Sequence, residues 1–421
     1  MPRILLATLG SLGDLHPYIA VGRALVDRGH RARIATTLEY REAVEGAGLE
    51  FAPVRPPMEA LGDRREIAER LFDPLRGVER LLREIVMPHL HEAHRDLANA
   101  AADADLLVSH PLTYTLPIVA WQQRKPWLSS VLAPMSLLSA HDPPAVAGFD
   151  ALRLAHRLGP RVYAAVFRFV RRIVRRWEAP LHAFRRELGL PATNQVMTFE
   201  GQFSPLGTLA LFDGALAEPQ PDWPARTIVC GAAVFDGAGD PAQIAELERF
   251  LAAGEPPLVF ALGSSAVWIA DGYWQHAVAA AQRLGRRAIL LSGEGVLPRL
   301  PDGVRAFAYL PYSRVFPHAT VVIHQAGVGT LAQALRAGRP QLITPVAFDQ
   351  PDNARRAARL GLARVLPFAR VDARRFEREL TQLLDEPRYG EAAMAVARTV
   401  SARDGAGYAA DHVLATLAAQ A

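Results

Sequence analysis

Three short stretches concentrate side chains able to move a proton or grip an anion. The first is Gly10-Ser11-Leu12-Gly13-Asp14-Leu15-His16-Pro17, where a carboxylate and an imidazole stand two residues apart in a glycine-containing loop. The second, Val108-Ser109-His110-Pro111, sets another imidazole just behind an apolar run. The third is His324-Gln325-Ala326-Gly327-Val328-Gly329-Thr330. Its glycines let an anion approach the main chain. N–H groups opening a helix point outward where the helix dipole is positive, so this turn suits a diphosphate, with a histidine or threonine side chain as an added donor. Each feature has a plainer reading. A Gly-x-Gly turn can be only a tight corner, Asp14 and Asp349 can be helix caps ahead of Pro17 and Pro351, and His16 can be a helix-start residue facing solvent or core.

The surrounding pattern explains what would position these groups. Ile4 to Thr8 is a short apolar strand ended by a glycine loop, Pro17 to Arg28 has helical spacing, and Ala32 to Thr36 reads as the next strand. Leu106–Ser109 and Trp127–Val131 are further strands. Stretches of weaker pattern, 56–100 and 135–205, would build the rim of a cleft. Strand, loop, helix and strand with short connections indicate a parallel sheet wrapped by helices. The same alternation restarts at Leu258–Leu262, which runs into Gly263-Ser264-Ser265. It continues through a helix near 273–284, strands at Ala288–Leu291, Thr320–Ile323 and Gln341–Thr344, and helices at Gly329–Ala337 and Pro351–Leu360. The fold class expected is α/β, with two doubly wound, Rossmann-like domains facing across a cleft. Residues 1–233 would form the first domain, 234–257 a linker rich in glycine, proline and acid, and 258–421 the second domain. The last helix would pack back on the first domain.

Composition removes several classes. At 421 residues the chain suits two domains. It is 50% apolar and 21% charged, the balance of a folded globular protein. Its formal excess of +4 is slight, and Lys125 is the only lysine, so the many arginines argue for coding bias rather than a nucleic-acid surface. Positive charge does gather at 161–186, an amphipathic basic helix that could lie on an anionic membrane or form a solvated face over an apolar stripe. No apolar run is long enough to span a bilayer, the start reads as a strand rather than a signal peptide, and the single Cys230 suggests a cytoplasmic protein. No Asp-x-Asp cluster or His/Cys ligand spacing calls for a metal.

From Tyr309 to Leu366 the chain resembles the nucleotide-sugar donor motif of family 1 glycosyltransferases, which share the GT-B fold. Tyr309, Leu310 and Tyr312, with Pro311 between them, match the aromatic-x-Pro-x stretch that edges the base. His324, Ala326, Gly327, Val328, Gly329 and Thr330 match the diphosphate loop. Asp349 and Gln350 match the pair that holds sugar hydroxyls, and Gly263, Ser264 and Ser265 match a strand-end turn that touches phosphate. Ala326 replaces the usual glycine, narrowing the loop while keeping its N–H. Where plant-type members carry a ribose-gripping glutamate the chain has Ala332, with Gln333 next to it, which would tolerate a deoxyribose. The Gly13-Asp14 pair, His110-Pro111 and the run Phe348 to Asn353 are most similar to bacterial rhamnosyltransferases, flavonoid glycosyltransferases and the sterol enzymes.

The resemblance implies an inverting, metal-independent O-glycosyltransferase, with residues 1–233 as the acceptor-binding domain and 258–421 as the nucleotide-sugar-binding domain. It would move rhamnose or glucose from TDP or UDP to a hydroxyl of an apolar small molecule such as a flavonoid, hydroxy-lipid or sterol. The nucleotide sugar is then a co-substrate and no cofactor is expected. Asp14 becomes the base, its pKa raised by burial, with His16 as rival and His110 as a partner that has traded places with the plant aspartate. Gly13 would lie beside the donor, while His324, Gly329 and Thr330 stabilise the departing diphosphate. Trp121, Met87 and Phe203 are apolar candidates for acceptor lining. A dinucleotide-dependent oxidoreductase is the alternative, though the first loop lacks the full Gly-x-Gly-x-x-Gly pattern and Glu39 is a loose match for the ribose acid. A sugar-nucleotide epimerase or a non-catalytic homologue serving a partner protein also fits the architecture.

Overall fold

A computed structural model describes residues 1–146, 148, 159–270, 272–293 and 295–420. The chain divides into two compact units, one comprising Met1–Gly214, Glu218–Phe235 and the segment from Asp404 onward, the other Ala215–Ala217 and Asp236–Arg403. Each is built on one parallel sheet. The first unit holds β1 (Arg3–Ala7), β2 (Arg31–Thr36), β3 (Glu50–Pro53), β4 (Leu106–Ser109), β5 (Trp127–Val131), β6 (Thr208–Ala210) and β7 (Thr227–Val229), in the order β3-β2-β1-β4-β5-β6-β7. The second holds β8 (Leu258–Ala261), β9 (Ala288–Leu291), β10 (Val304–Phe307), β11 (Val321–His324), β12 (Gln341–Ile343) and β13 (Ala363–Val365), in the order β10-β9-β8-β11-β12-β13.

Both sheets reverse direction of growth once. In the first the reversal falls between β1 and β4, in the second between β8 and β11. Loops leaving neighbouring strands at such a point go to opposite faces and open a crevice at the carboxyl ends, where open α/β sheets bind ligands. Asp14 follows β1 and His110 follows β4. Gly263 follows β8 and the 324–330 turn follows β11. The topology thus brings the chemistry-bearing stretches together in pairs, one pair per unit.

The helix after β1, called α1, spans Leu12–Asp27 rather than starting at Pro17. A capping box moves its start forward: Ser11 Oγ accepts the Gly13 N–H, and the Asp14 carboxylate accepts the Ser11 N–H. Pro17 then falls within the helix as its sixth residue, where it forfeits one backbone bond, to the Gly13 carbonyl. Of the 234–257 stretch, residues Pro241–Ala252 form a helix capped by Asp240, whose Leu247 and Phe250 join the core of the second unit. The last helix, Gly405–Ala418, belongs to the first unit and packs along α1. Gly405 is needed there, because a Cβ would come within 2.5 Å of the Gly231 and Ala232 carbonyl oxygens.

Candidate active site

In the first unit the Asp14 carboxylate divides its two oxygens between two tasks. Oδ2 accepts from the Ser11 N–H at 2.7 Å and from Ser11 Oγ at 3.0 Å. Oδ1 faces Nε2 of His110 at 3.4 Å. The proton on that imidazole can be located by elimination. His110 Nδ1 lies 3.2 Å from the Leu112 backbone N–H, which can only donate, so Nδ1 is an acceptor and the neutral ring carries its proton on Nε2, toward Asp14. His110 is nearly enclosed, with 5% of its side chain accessible, whereas Asp14 keeps 29%. Behind the histidine, Tyr18 packs edge-on against its ring and bonds to Ser130 Oγ, which itself donates to the Ser109 carbonyl. Close approach explains Gly10, whose φ of +134° suits glycine and whose Cβ, if present, would sit 2.3 Å from Asp14 Oδ2.

Burial pushes the Asp14 carboxyl up, but the hydrogen bond from His110, together with those from Ser11, outweighs it and holds the group below the ordinary carboxylate value. The raised pKa expected from the sequence is therefore corrected. An oxygen that accepts one proton still has a lone pair, so Oδ1 can receive a second hydrogen bond from outside. His16 turns elsewhere, its half-buried ring lying edge-on to Phe235 at 5.4 Å.

In the second unit, the helix Val328–Ala337 begins without a side-chain cap. The N–H groups of Val328, Gly329 and Thr330 lie in its first turn, where no helical carbonyl reaches them. His324 sits at the end of β11 with 0% of its surface exposed. Its Nδ1 accepts the Ala326 N–H at 3.1 Å, which leaves the ring proton on Nε2, 3.0 Å from Gln341 Oε1. Burial pushes its pKa down to about 4, against the smaller opposing effect of Gln341, so the ring is neutral at physiological pH. Ala326 adopts φ +65° and Phe348 φ +57°, both in the left-handed region. Asn353 ties the two turns together by donating to the Ala326 carbonyl at 3.0 Å and to Asp349 Oδ2 at 2.7 Å. Gln350 closes the same loop from beneath, its Oε1 accepting the Val346 N–H.

Two family models match the sequence: the glycosyltransferase family 28 N-terminal domain over residues 4–94, and the erythromycin biosynthesis protein CIII-like C-terminal domain over residues 289–410. An O-mycaminosyltylonolide 6-deoxyallosyltransferase from Streptomyces fradiae is 32% identical over 413 residues, covering 96% of this chain and 94% of that protein. The chain is a GT-B glycosyltransferase. A sterol 3-beta-glucosyltransferase from Arabidopsis thaliana is 27% identical over 83% of the chain and 55% of its own length. Among solved structures, the calicheamicin glycosyltransferase CalG4 aligns with a TM-score of 0.72 at 18% identity, covering 99% of this chain and 98% of that one. The spinosyn rhamnosyltransferase SpnG complexed with thymidine diphosphate aligns at 0.64 and 22%, covering 96% and 97%. At such identities these two structures speak for the fold alone. The oxidoreductase reading falls with this membership.

Within the glycosyltransferase, several residues expected at the donor are enclosed or already bonded to neighbours in the protein. His324 is enclosed and both its ring nitrogens are engaged, by Gln341 and the Ala326 N–H. The Ala326 N–H is spent on His324 rather than kept for a ligand. Thr330 is 6% exposed and its hydroxyl bonds to Tyr312. Leu310 is buried in the core, which leaves only its backbone for a base. The Tyr309 hydroxyl accepts the Gly237 N–H, Gln350 is buried, and the Gly13 N–H goes to Ser11. Ser264 is exposed, and Ser265, Val328, Gly329 and Asp349 are partly so. Of the apolar guesses, Met87 is core, Trp121 is exposed and Phe203 is half-buried.

Sequence reasoning passed over Gln325. It is 5% exposed, its Oε1 has no partner, and it lies so close over the turn that a Cβ at Gly263 or Gly327 would fall 2.3 or 2.8 Å from its Nε2. The paired glycines at 263 and 327 were the available signal. Asp236 was also missed. It accepts from Gln333 Nε2 and the Ser313 N–H, both at 2.9 Å.

Proposed function

We propose that this glycosyltransferase moves a hexose, rhamnose or glucose in type, from a thymidine diphosphate to a hydroxyl of an apolar small molecule, with inversion and without a metal. The observation that carries the reading is the Asp14–His110 pair at the switch point of the first sheet. The acceptor hydroxyl gives its proton to Asp14 Oδ1 while its oxygen attacks the anomeric carbon. The bond from that carbon to the diphosphate breaks on the opposite face, and its electron pair leaves on phosphate. Attack from one face and departure from the other inverts the centre. His110 holds the carboxylate in place by donating its Nε2 proton toward it, a positioning task rather than proton transfer.

The developing charge would be met by the first-turn N–H groups of Val328, Gly329 and Thr330, with the exposed Ser264 beside them. Oriented dipoles of this kind can replace a metal. Among the described residues, no three His, Cys, Asp or Glu side chains are grouped to hold one. Gln325, a buried amide lacking one partner, is the side chain best suited to meet an arriving ligand. For the nucleotide, Ala332 offers nothing to a 2′-hydroxyl, and neighbouring Gln333 is given to Asp236.

Calorimetric titration should find TDP binding at least as tightly as UDP, and a ten-fold or greater preference for UDP would refute the nucleotide assignment. Mass spectrometry of flavonoid, macrolide and sterol acceptors incubated with TDP-rhamnose or UDP-glucose in EDTA should show one added sugar. Proton couplings of the product should show the inverted anomer. Transfer only on addition of a divalent cation, or retention of configuration, would reject the mechanism.

A further inference from the structure

The helix Pro160–Trp177 spends its apolar surface unusually. Its 18 residues include six arginines and no acid, yet only Tyr163 and Val174 are buried. Arginine and apolar side chains divide cleanly around the helix axis. Val162, Val166, Phe169, Val170, Ile173 and Trp177 share one arc, and the arginines take the other. An amphipathic helix of a folded domain normally turns the middle of its apolar arc to the core. Here the core is met at one margin of that arc, through Tyr163 and Val174, and the opposite margin is left outside. Phe169 is 60% exposed, with Val162 and Val170 at 38% and 37%.

The arginines divide in the same way. Arg171 and Arg175 lie on the core side and are spent, the first on Glu200 and the second on the Asn194 carbonyl at 2.8 Å. Arg161, Arg168, Arg172 and Arg176 are exposed, and no carboxylate among the described residues pairs with them. They recur at helical spacing beside Phe169 and Val162. The outward face is therefore a row of cations next to protruding apolar side chains. It carries no acid and no uncharged hydrogen-bonding group.

We propose that this face docks on an anionic lipid bilayer, the helix lying in the plane of the headgroups. A bilayer satisfies both halves of the surface at once. Anionic headgroups neutralise the arginine row, and the acyl boundary takes up Phe169, Val162 and Val170 at the shallow depth typical of interfacial helices. Guanidinium groups are suited to lipid phosphate, which they bind through two parallel hydrogen bonds. An acidic protein would have to match the protruding phenyl ring as well as the charge. Among the described residues no helix is long and apolar enough to cross a membrane, so the contact is peripheral. The inference rests on this surface alone and is independent of the transferase chemistry.

Sedimentation of the full chain with vesicles tests it. The protein should be carried down by phosphatidylcholine vesicles containing phosphatidylglycerol and not by phosphatidylcholine alone, and high salt should release it. R168E/R172E/R176E should weaken vesicle binding by more than about ten-fold, and Phe169→Ser should weaken it while leaving the salt dependence in place. Both variants should keep wild-type transfer to a water-soluble acceptor, which shows them folded. No retention by anionic vesicles at low salt overturns the proposal, as does equal retention by neutral vesicles or undiminished binding of the triple variant. Capture of an acidic protein without vesicle binding also overturns it.

Discussion

The carboxylate proposed to accept the acceptor's proton is a weaker base than aspartate usually is, because the same neighbours that fix its position stabilise its charge. The consequence is legible in a pH profile. A depressed pKa means that Asp14 is ionised throughout the physiological range and is lost as a base only when pH falls below the ordinary aspartate value. The stability it contributes has the same sign, present at neutral pH and lost in strong acid. Removing His110 takes away the largest of the stabilising effects. His110→Ala should therefore move the acid limb of kcat/KM upward, toward the ordinary carboxylate value, while TDP affinity measured by titration stays as in wild type. An acid limb left in place would mean that the 3.4 Å contact has no part in setting the carboxyl. Asp14→Asn should lower kcat by about 10²–10⁴-fold, the usual contribution of a positioned base. A loss below ten-fold would direct attention to His16, despite its contact with Phe235.

The 324–330 turn illustrates what spacing can and cannot reveal about an element. Its place after a strand and before a helix was readable, because β11 is a four-residue apolar run. So were β1, β2, β4, β5, β8, β9 and β12. The strands that pattern failed to announce are β3, β7, β10 and β13, all at sheet edges, and β6, one place in from an edge. They are three or four residues long, and their identity comes from the neighbour they pair with rather than from their own sequence. The inward turn of His324 was hidden for a related reason, since it depends on Gln341 arriving from the next strand. That burial has a measurable cost in acid. The unfolded chain takes up a proton near 6.5 and the folded one only near 4, so stability falls as pH drops through that window, by about 3 kcal/mol in all. His324→Asn should be less stable at pH 7 and lose less between pH 6.5 and 4, as followed by denaturant midpoints. Equal losses in the two proteins would remove His324 as the cause. Ala326→Gly, by contrast, should be nearly neutral. Relief of the left-handed alanine, about 1 kcal/mol, is offset by about 0.8 kcal/mol for the buried methyl and the added freedom of the unfolded chain.

At the scale of the molecule, the order of the chain and the composition of the units disagree, and the disagreement is informative. The first unit is not finished when the chain leaves it at Phe235, because the segment from Asp404 onward completes its surface. The Gly405–Ala418 helix lies along α1, the helix that carries Asp14 in its first turn. Ala409, Ala410 and Val413 are fully buried in that packing. Arg28, just past the end of α1, reaches Asp411 at 2.6 Å and the Gly407 carbonyl at 3.1 Å. The residues proposed to meet the donor diphosphate, Ser264, Gln325 and the first turn Val328 to Thr330, all lie in the second unit, which does not include the last helix. Deleting residues 404–421 should therefore separate the two halves of the function. The lost apolar burial is worth on the order of 3 kcal/mol, all of it taken from the first unit. Hydrogen exchange over residues 12–27 should accelerate and sugar transfer should collapse, since Asp14 depends on a well-formed α1. TDP should still bind with essentially wild-type affinity by calorimetry. A truncated chain that lost TDP binding while the second unit's amides stayed protected would place part of the nucleotide's contacts outside the second unit. One that kept full transfer would show that α1 holds its catalytic turn through the capping box at Ser11 alone.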